Sequence, residues 1–208
     1  VTNKFFDRIV ARFSLRWWVY LAIAWMSFTQ IFFINAIYDR HVLFIEPWRL
    51  WTAHWVHLGV WHFALNAVAL ALLPEIFLRT SRRFLILLWF VLPPLLSLLL
   101  YIFLPTLIQY AGLSGVLHGI YLATALNAIQ SSHVAERRMG WLVALGLCLK
   151  VGWEAYSGNS QTAELIGAPV ILQSHLYGAS LGLLIWCMLR FMPFYKKICL
   201  KIKKRIAS

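Results

Sequence analysis

Ser114 and His118 stand four residues apart in the stretch GLSGVLHGIY, residues 112–121, with glycines at 112, 115 and 119 around them. A hydroxyl close to an imidazole is the pairing that nucleophilic acyl transfer requires. The imidazole takes the proton, the oxygen attacks a carbonyl, and nearby N–H donors hold the oxyanion that forms. Further polar side chains interrupt apolar surroundings elsewhere: His62 and Asn66 in WHFALNAV, His175 in QSHLYGAS, and Lys150 with Glu154 in KVGWE. The chemistry depends on whether the chain can bring these separated groups together.

The elements that would do so are membrane helices. The chain is 208 residues long and 62% hydrophobic, with 11 Trp and 14 Phe but only 19 Lys and Arg and 7 Asp and Glu. That balance is far too apolar for a soluble domain. A span needs about 20 apolar residues, and such runs cover 17–38, 58–77, 84–104, 112–130, 139–156 and 171–192. We therefore expect an all-α bundle of six transmembrane helices in one membrane domain, 1–208. Residues 1–16 form a basic N-terminus ahead of it, and 193–208 form a basic tail. The first run has no convincing small-residue cleavage site and reads as a retained span. Pro93 and Pro94 predict a kink in the third span. YSGNSQTAELIGAP, before the sixth, has the composition of a mobile loop. Cys148, Cys187 and Cys199 fall in two spans and the tail, so no disulfide framework is expected.

The net charge of +12 would suit nucleic acid, but its distribution points to a membrane instead. Lys and Arg gather at 4, 8, 12 and 16, at 79, 82 and 83, at 137 and 138, and at 190, 196, 197, 201, 203, 204 and 205. Six spans place all of these on one side, leaving Arg40, Arg49 and Lys150. The positive-inside bias then puts both termini in the cytoplasm. The tail can also touch anionic lipid head groups. Spans 2, 4 and 6 run inward from the outer face, and the Trp-rich segment 46–61 suits the outer interface.

With a rise of about 1.5 Å per residue, His62, Ser114 and His175 lie at matched depth near the outer ends of those three spans, and Asn66 lies one turn below His62. Gly115 and Gly119 on span 4, and Ser174, Gly178 and Gly182 on span 6, form small-residue stripes that let helix backbones approach closely. Close packing there would carry His175 toward Ser114. His118, one turn from Ser114 on the same face, is open by geometry as an alternative base. His54, His57 and His62 do not share one helical face, and no metal site is expected from them. Lys150 and Glu154 read either as a structural ion pair or as a group that meets substrate or a lipid head group.

These motifs, in this order, resemble a rhomboid intramembrane serine protease: EPWR in the first outer loop, His57 and then His62 with Asn66, GLSG at 112–115, and His175 with Gly178 and Gly182. The resemblance implies that Ser114 is the nucleophile and His175 its base. It also implies an oxyanion hole formed by the Ser114 N–H with His62 and Asn66, supported by Gly112 and His118, with no metal or cofactor. Many rhomboids carry Tyr where this chain has His118. GLSGVLHG and KVGWE resemble the rhombosortase branch, which implies cleavage of C-terminal GlyGly-CTERM tails, each a Gly-Gly motif, a hydrophobic helix and a basic end. The implied partners are membrane-anchored protein substrates and membrane lipids, not nucleic acid. The implied site is the outer side of a bacterial inner membrane, facing the periplasm. The acyl-enzyme would pass either to water or to a lipid-derived amine. An ordinary rhomboid cutting single-span proteins, and an inactive client-binding relative, are the alternatives.

Overall fold

In a computed structural model, residues 4–159, 161–167 and 169–206 are described, with side chains described for 17–159, 163–167 and 169–191. Each apolar run is helical. The first run ends helix α1 (Lys4–Thr29) and continues through a 3-10 turn (Gln30–Phe32) and a short α2 (Phe33–Ala36). After β1 (Tyr38–Asp39) and α3 (Arg49–Thr52) come α4 (Val60–Ile76), α5 (Arg82–Phe103), β2 (Gln109–Tyr110), α6 (Ser114–Ile129), α7 (Val134–Ser157), α8 (Gln161–Ile166) and α9 (Leu172–Ile206).

Stretches 17–36, 82–103 and 172–191 are long and apolar enough to cross a membrane. The apolar helices α4 and α6 are shorter, at 17 and 16 residues. Helix α7 has 24 residues but carries Glu136, Arg137, Arg138, Lys150 and Glu154. A helix can be short and polar in such a bundle where protein rather than lipid surrounds it. Helix α6 fits that condition, since Gly115, Val116, Leu117, Gly119, Ile120, Leu122, Ala123, Thr124 and Ala125 are all buried. Trp17, Trp18, Phe90, Trp141, Leu145 and Leu184 face outward, the apolar exterior of a membrane-embedded protein.

Two expectations need correction. The loop before α9 contains the helix α8, where TAELI supplies good helix formers. Helix α6 starts at Ser114 rather than 112, because Gly112 has φ 129° and leaves the helical region. Helix α9 runs on to Ile206, so the stretch from 193 is helical, although its side chains, like those of 1–16, lie outside the described ones. Helix α5 continues unbroken through Pro93 and Pro94, and the loop between α2 and α4 docks there. Pro94 cannot donate to the Phe90 carbonyl, and the Trp51 indole N–H donates to it instead, at 3.1 Å. His54 Nε2 lies 3.0 Å from both the Pro93 carbonyl and Ser97 Oγ.

The same loop closes the end of α2. Buried Arg49 donates to the carbonyls of Ile34 and Ile37 at 2.9 and 2.6 Å while pairing with Glu46, and the Trp48 indole donates to Asn35. These satisfy carbonyls that a helix C-terminus leaves without partners. Antiparallel pairing of β1 with β2 then ties this loop to the segment entering α6.

Helices α6 and α9 meet backbone to backbone. A Cβ on Gly115 would stand 2.8 Å from the Ser174 carbonyl, and one on Gly119 would stand 2.5 Å from the Gly178 carbonyl. Gly178 and Gly182 face the Gly115 and Gly119 carbonyls in return. Gly140 plays the same part between α7 and α6, beside the Ala125 carbonyl. At the opposite end, Arg79 after α4 meets His133 and Glu136 at the start of α7. Gly119→Val and Gly178→Val should each lower stability by about 1–3 kcal/mol or more through overpacking. Gly152→Ala, whose new methyl meets nothing within 4 Å, should raise the thermal midpoint slightly. Thermal unfolding of the detergent-solubilised variants checks the contrast.

Candidate active site

The starts of α4, α6 and α9 meet at one end of the bundle, around a cavity of about 430 Å³ lined by His62, Asn66, Ser114, His118, Lys150 and His175 among apolar neighbours. Leu65 and Ala69 of α4 line one side, and Val143, Gly146 and Leu147 of α7 line the other. Polar groups from α4, α6, α7 and α9 thus enter a mostly hydrophobic space.

Ser114 is the first residue of α6, so its N–H belongs to the turn that has no intrahelical acceptor. The positive end of the helix dipole lies at the same place. Ser114 Oγ is 2.9 Å from His175 Nε2. On the far side of the ring, His175 Nδ1 is 2.8 Å from Glu154 Oε2. Glu154 Oε1 in turn accepts from Lys150 Nζ at 2.5 Å. His175 and Glu154 are 3% and 5% exposed, which puts the imidazole and its carboxylate partner out of bulk solvent. Gly158, with φ 66°, ends α7 one turn later and bonds back to the Glu154 carbonyl.

His118 lies flat on His175, with ring centroids 4.1 Å apart and planes 12° apart. Its Nδ1 is 2.7 Å from the Ser114 carbonyl oxygen, so this N–H bonds the backbone rather than the hydroxyl. Among the described residues, His118, Glu154 and His175 could hold a metal ion by proximity alone. Stacked rings direct their nitrogen lone pairs side by side, and both Nδ1 atoms already have partners, so the donor set suits hydrogen bonding better than a closed metal shell.

On α4, the His62 ring covers Gly112, where a Cβ would lie 2.6 Å from His62 Cε1 and 2.7 Å from Nε2. The Leu58 N–H points toward His62 Nδ1 at a long 3.5 Å. Asn66 Nδ2 donates to the His62 carbonyl at 2.8 Å and has a second N–H besides. His57 packs edge-on to His62, with centroids 4.9 Å apart and Gln30 at its Nδ1. Burial first, and the His62 ring second, pull its pKa from 6.5 to about 3, so His57 is a neutral imidazole at neutral pH. Gly112 is held in place by its N–H on the Ala53 carbonyl and by the Tyr110 hydroxyl on its own carbonyl.

The structure therefore brings His62, Asn66, Ser114, His118, Lys150 and His175 around one cavity, with Glu154 against His175. The contact missed in the sequence is Glu154 with His175. Spacing on α7 pairs Glu154 with Lys150 but cannot tell which other helix it faces. Gly140 was also missed as a packing residue.

Gly112→Ala combines the clash with His62 and a positive φ, and should cost about 1–3 kcal/mol. His62→Ala removes only the clash, so in that background the same substitution should cost less. A double-mutant cycle in thermal unfolding measures the difference.

Neither a curated protein nor a solved structure matches the chain. Residues 45–191 match the Rhomboid domain. With that match extending from the loop before α3 into α9, the chain belongs to the rhomboid family, whose members are intramembrane serine proteases.

Proposed function

We propose that this protein is an intramembrane serine protease of the rhombosortase type, acting through Ser114 and His175 on C-terminal GlyGly-CTERM tails. The observation that carries the reading is the 2.9 Å contact between Ser114 Oγ and His175 Nε2 at the open end of a helix N-terminus. On this reading the chain is one domain of six spans with both termini cytoplasmic. The cavity opens to the periplasmic side of a bacterial inner membrane.

The chemistry follows from the atoms present. Ser114 Oγ–H gives its proton to His175 Nε2 as the oxygen bonds to the scissile carbonyl carbon, and the carbonyl becomes an oxyanion. The Ser114 N–H, His62 Nε2–H and the second Asn66 N–H are the donors proposed for that charge. As the C–N bond breaks, His175 returns the proton to the leaving amine, and the substrate's N-terminal portion remains as an ester on Ser114. Water, or an amine, then attacks the ester carbonyl as His175 Nε2 takes its proton; the C–O bond to Ser114 breaks, and His175 returns that proton to Ser114 Oγ. His118 supports His175 by stacking, and its Nδ1 contact with the Ser114 carbonyl favours His175 over His118 as the base.

The apolar walls suit a substrate segment that is itself hydrophobic. Two features support the rhombosortase branch: His118 stacked on His175, and the Lys150 and Glu154 motif brought into the site. Purified protein in proteoliposomes should label with a fluorophosphonate and cut a GlyGly-tailed reporter. Ser114→Ala and His175→Ala should abolish both activities, while His118→Ala should retain labelling at a reduced rate. Cutting a single-span reporter that lacks the tail, while sparing the tailed one, would assign the ordinary rhomboid activity instead. Labelling that survives His175→Ala but not His118→Ala would reassign the base.

A further inference from the structure

We propose that Glu154 is a third member of the Ser114 and His175 unit, a positioning residue that fixes the imidazole's tautomer and balances its charge, with Lys150 holding the carboxylate ionised. The inference rests on the serine protease reading and deepens it.

The geometry runs in one line across three helices. Lys150 Nζ donates to Glu154 Oε1 at 2.5 Å on α7. Glu154 Oε2 stands 2.8 Å from His175 Nδ1 on α9, and His175 Nε2 stands 2.9 Å from Ser114 Oγ on α6. An ionised carboxylate can only accept hydrogen bonds. The proton on the ring must therefore sit on Nδ1, which leaves the Nε2 lone pair facing the serine hydroxyl. Without that acceptor, either nitrogen can carry the proton, and the tautomer with N–H at Nε2 cannot take one from Ser114.

A purely structural ion pair would need only one carboxylate oxygen for the ammonium. Here the second oxygen is directed at the imidazole. The carboxylate side chain is 6% exposed while the lysine side chain is 42% exposed, so the buried end of the pair is the one at the site. A buried carboxylate is costly when alone and tolerable when paired, which gives Lys150 its part. When His175 takes the serine proton it becomes a cation, and Glu154 then lies between two positive groups, close to the one that develops during the reaction. The proton stays on His175 until it passes to the leaving amine, and Glu154 takes none. His118 sets the plane of the ring by stacking, and Glu154 sets its rotation within that plane.

The test uses full-length protein in proteoliposomes with the GlyGly-tailed reporter and a fluorophosphonate probe, comparing wild type, Ser114→Ala, Glu154→Gln, Lys150→Met and the Lys150→Met, Glu154→Gln double variant. Glutamine keeps the shape of the side chain but can offer an N–H to Nδ1, favouring the wrong tautomer. Glu154→Gln should lower kcat by roughly 10²–10⁴-fold, with KM changed by less than about twofold. The double variant replaces a charged pair with a neutral one. If the pair only stabilises the fold, the double variant should recover activity. On the proposal it stays as low as Glu154→Gln, and it carries the test should the single variant fail to fold. A Glu154→Gln kcat within about threefold of wild type, or recovery in the double variant, overturns the proposal while leaving the protease reading intact. A wild type that neither labels nor cleaves, or a Ser114→Ala variant that still cleaves, overturns both.

Discussion

Everything at the site depends on how closely α6 and α9 approach. Four glycines remove the side chains that would separate the two backbones, and the Gly115, Gly119 and Ser174 to Gly182 stripes face carbonyl oxygens directly. The first consequence is geometric. Ser114 begins α6 and His175 lies in the first turns of α9, so close packing places hydroxyl against imidazole without any long or flexible linker. The second is energetic. In a membrane, helix association gains little from apolar burial and relies on van der Waals packing and interhelical hydrogen bonds. A contact this tight makes a rigid base for groups that must hold their positions to within a fraction of an ångström.

Around that contact the remaining elements act as supports. The loop between α2 and α4 anchors itself on the carbonyls freed by Pro94 and by the end of α2, through Trp51, Trp48 and Arg49. Its pairing with β2 fixes the approach to Gly112. Gly112 then adopts a backbone conformation that leaves room for the His62 ring, so one glycine connects the loop, the start of α6 and α4. Helix α7 supplies both packing and charge: Gly140 lies against α6, Lys150 lines the cavity, and Glu154 meets His175 behind it. The irregular segments set where each helix begins.

Much of this was legible in the sequence because membrane helices announce themselves by length and apolarity, and because polar residues are few enough there to stand out. His62, Ser114 and His175 at matched depth, and the glycine stripes, follow directly from helical spacing. What spacing cannot reveal is rotation about a helix axis in an all-round apolar segment. For that reason Glu154 was paired with Lys150, its neighbour one turn away, while its contact with His175 on another helix went unseen. Loop geometry was equally hidden. The positive φ of Gly112 and the short helix α8 arise from tertiary contacts and local turn structure that a hydropathy pattern does not carry.

In the proposed reaction Ser114 forms a covalent ester with the substrate while His175 moves the proton. Peptide mass spectrometry of acid-quenched reactions with a GlyGly-tailed substrate tests it most directly. An adduct is expected on the peptide containing Ser114, equal in mass to the substrate's N-terminal fragment joined as an ester, and it should be absent in His175→Ala. Substrate turnover with no adduct on Ser114 under conditions that trap a control serine protease, or an adduct on another residue, would contradict it.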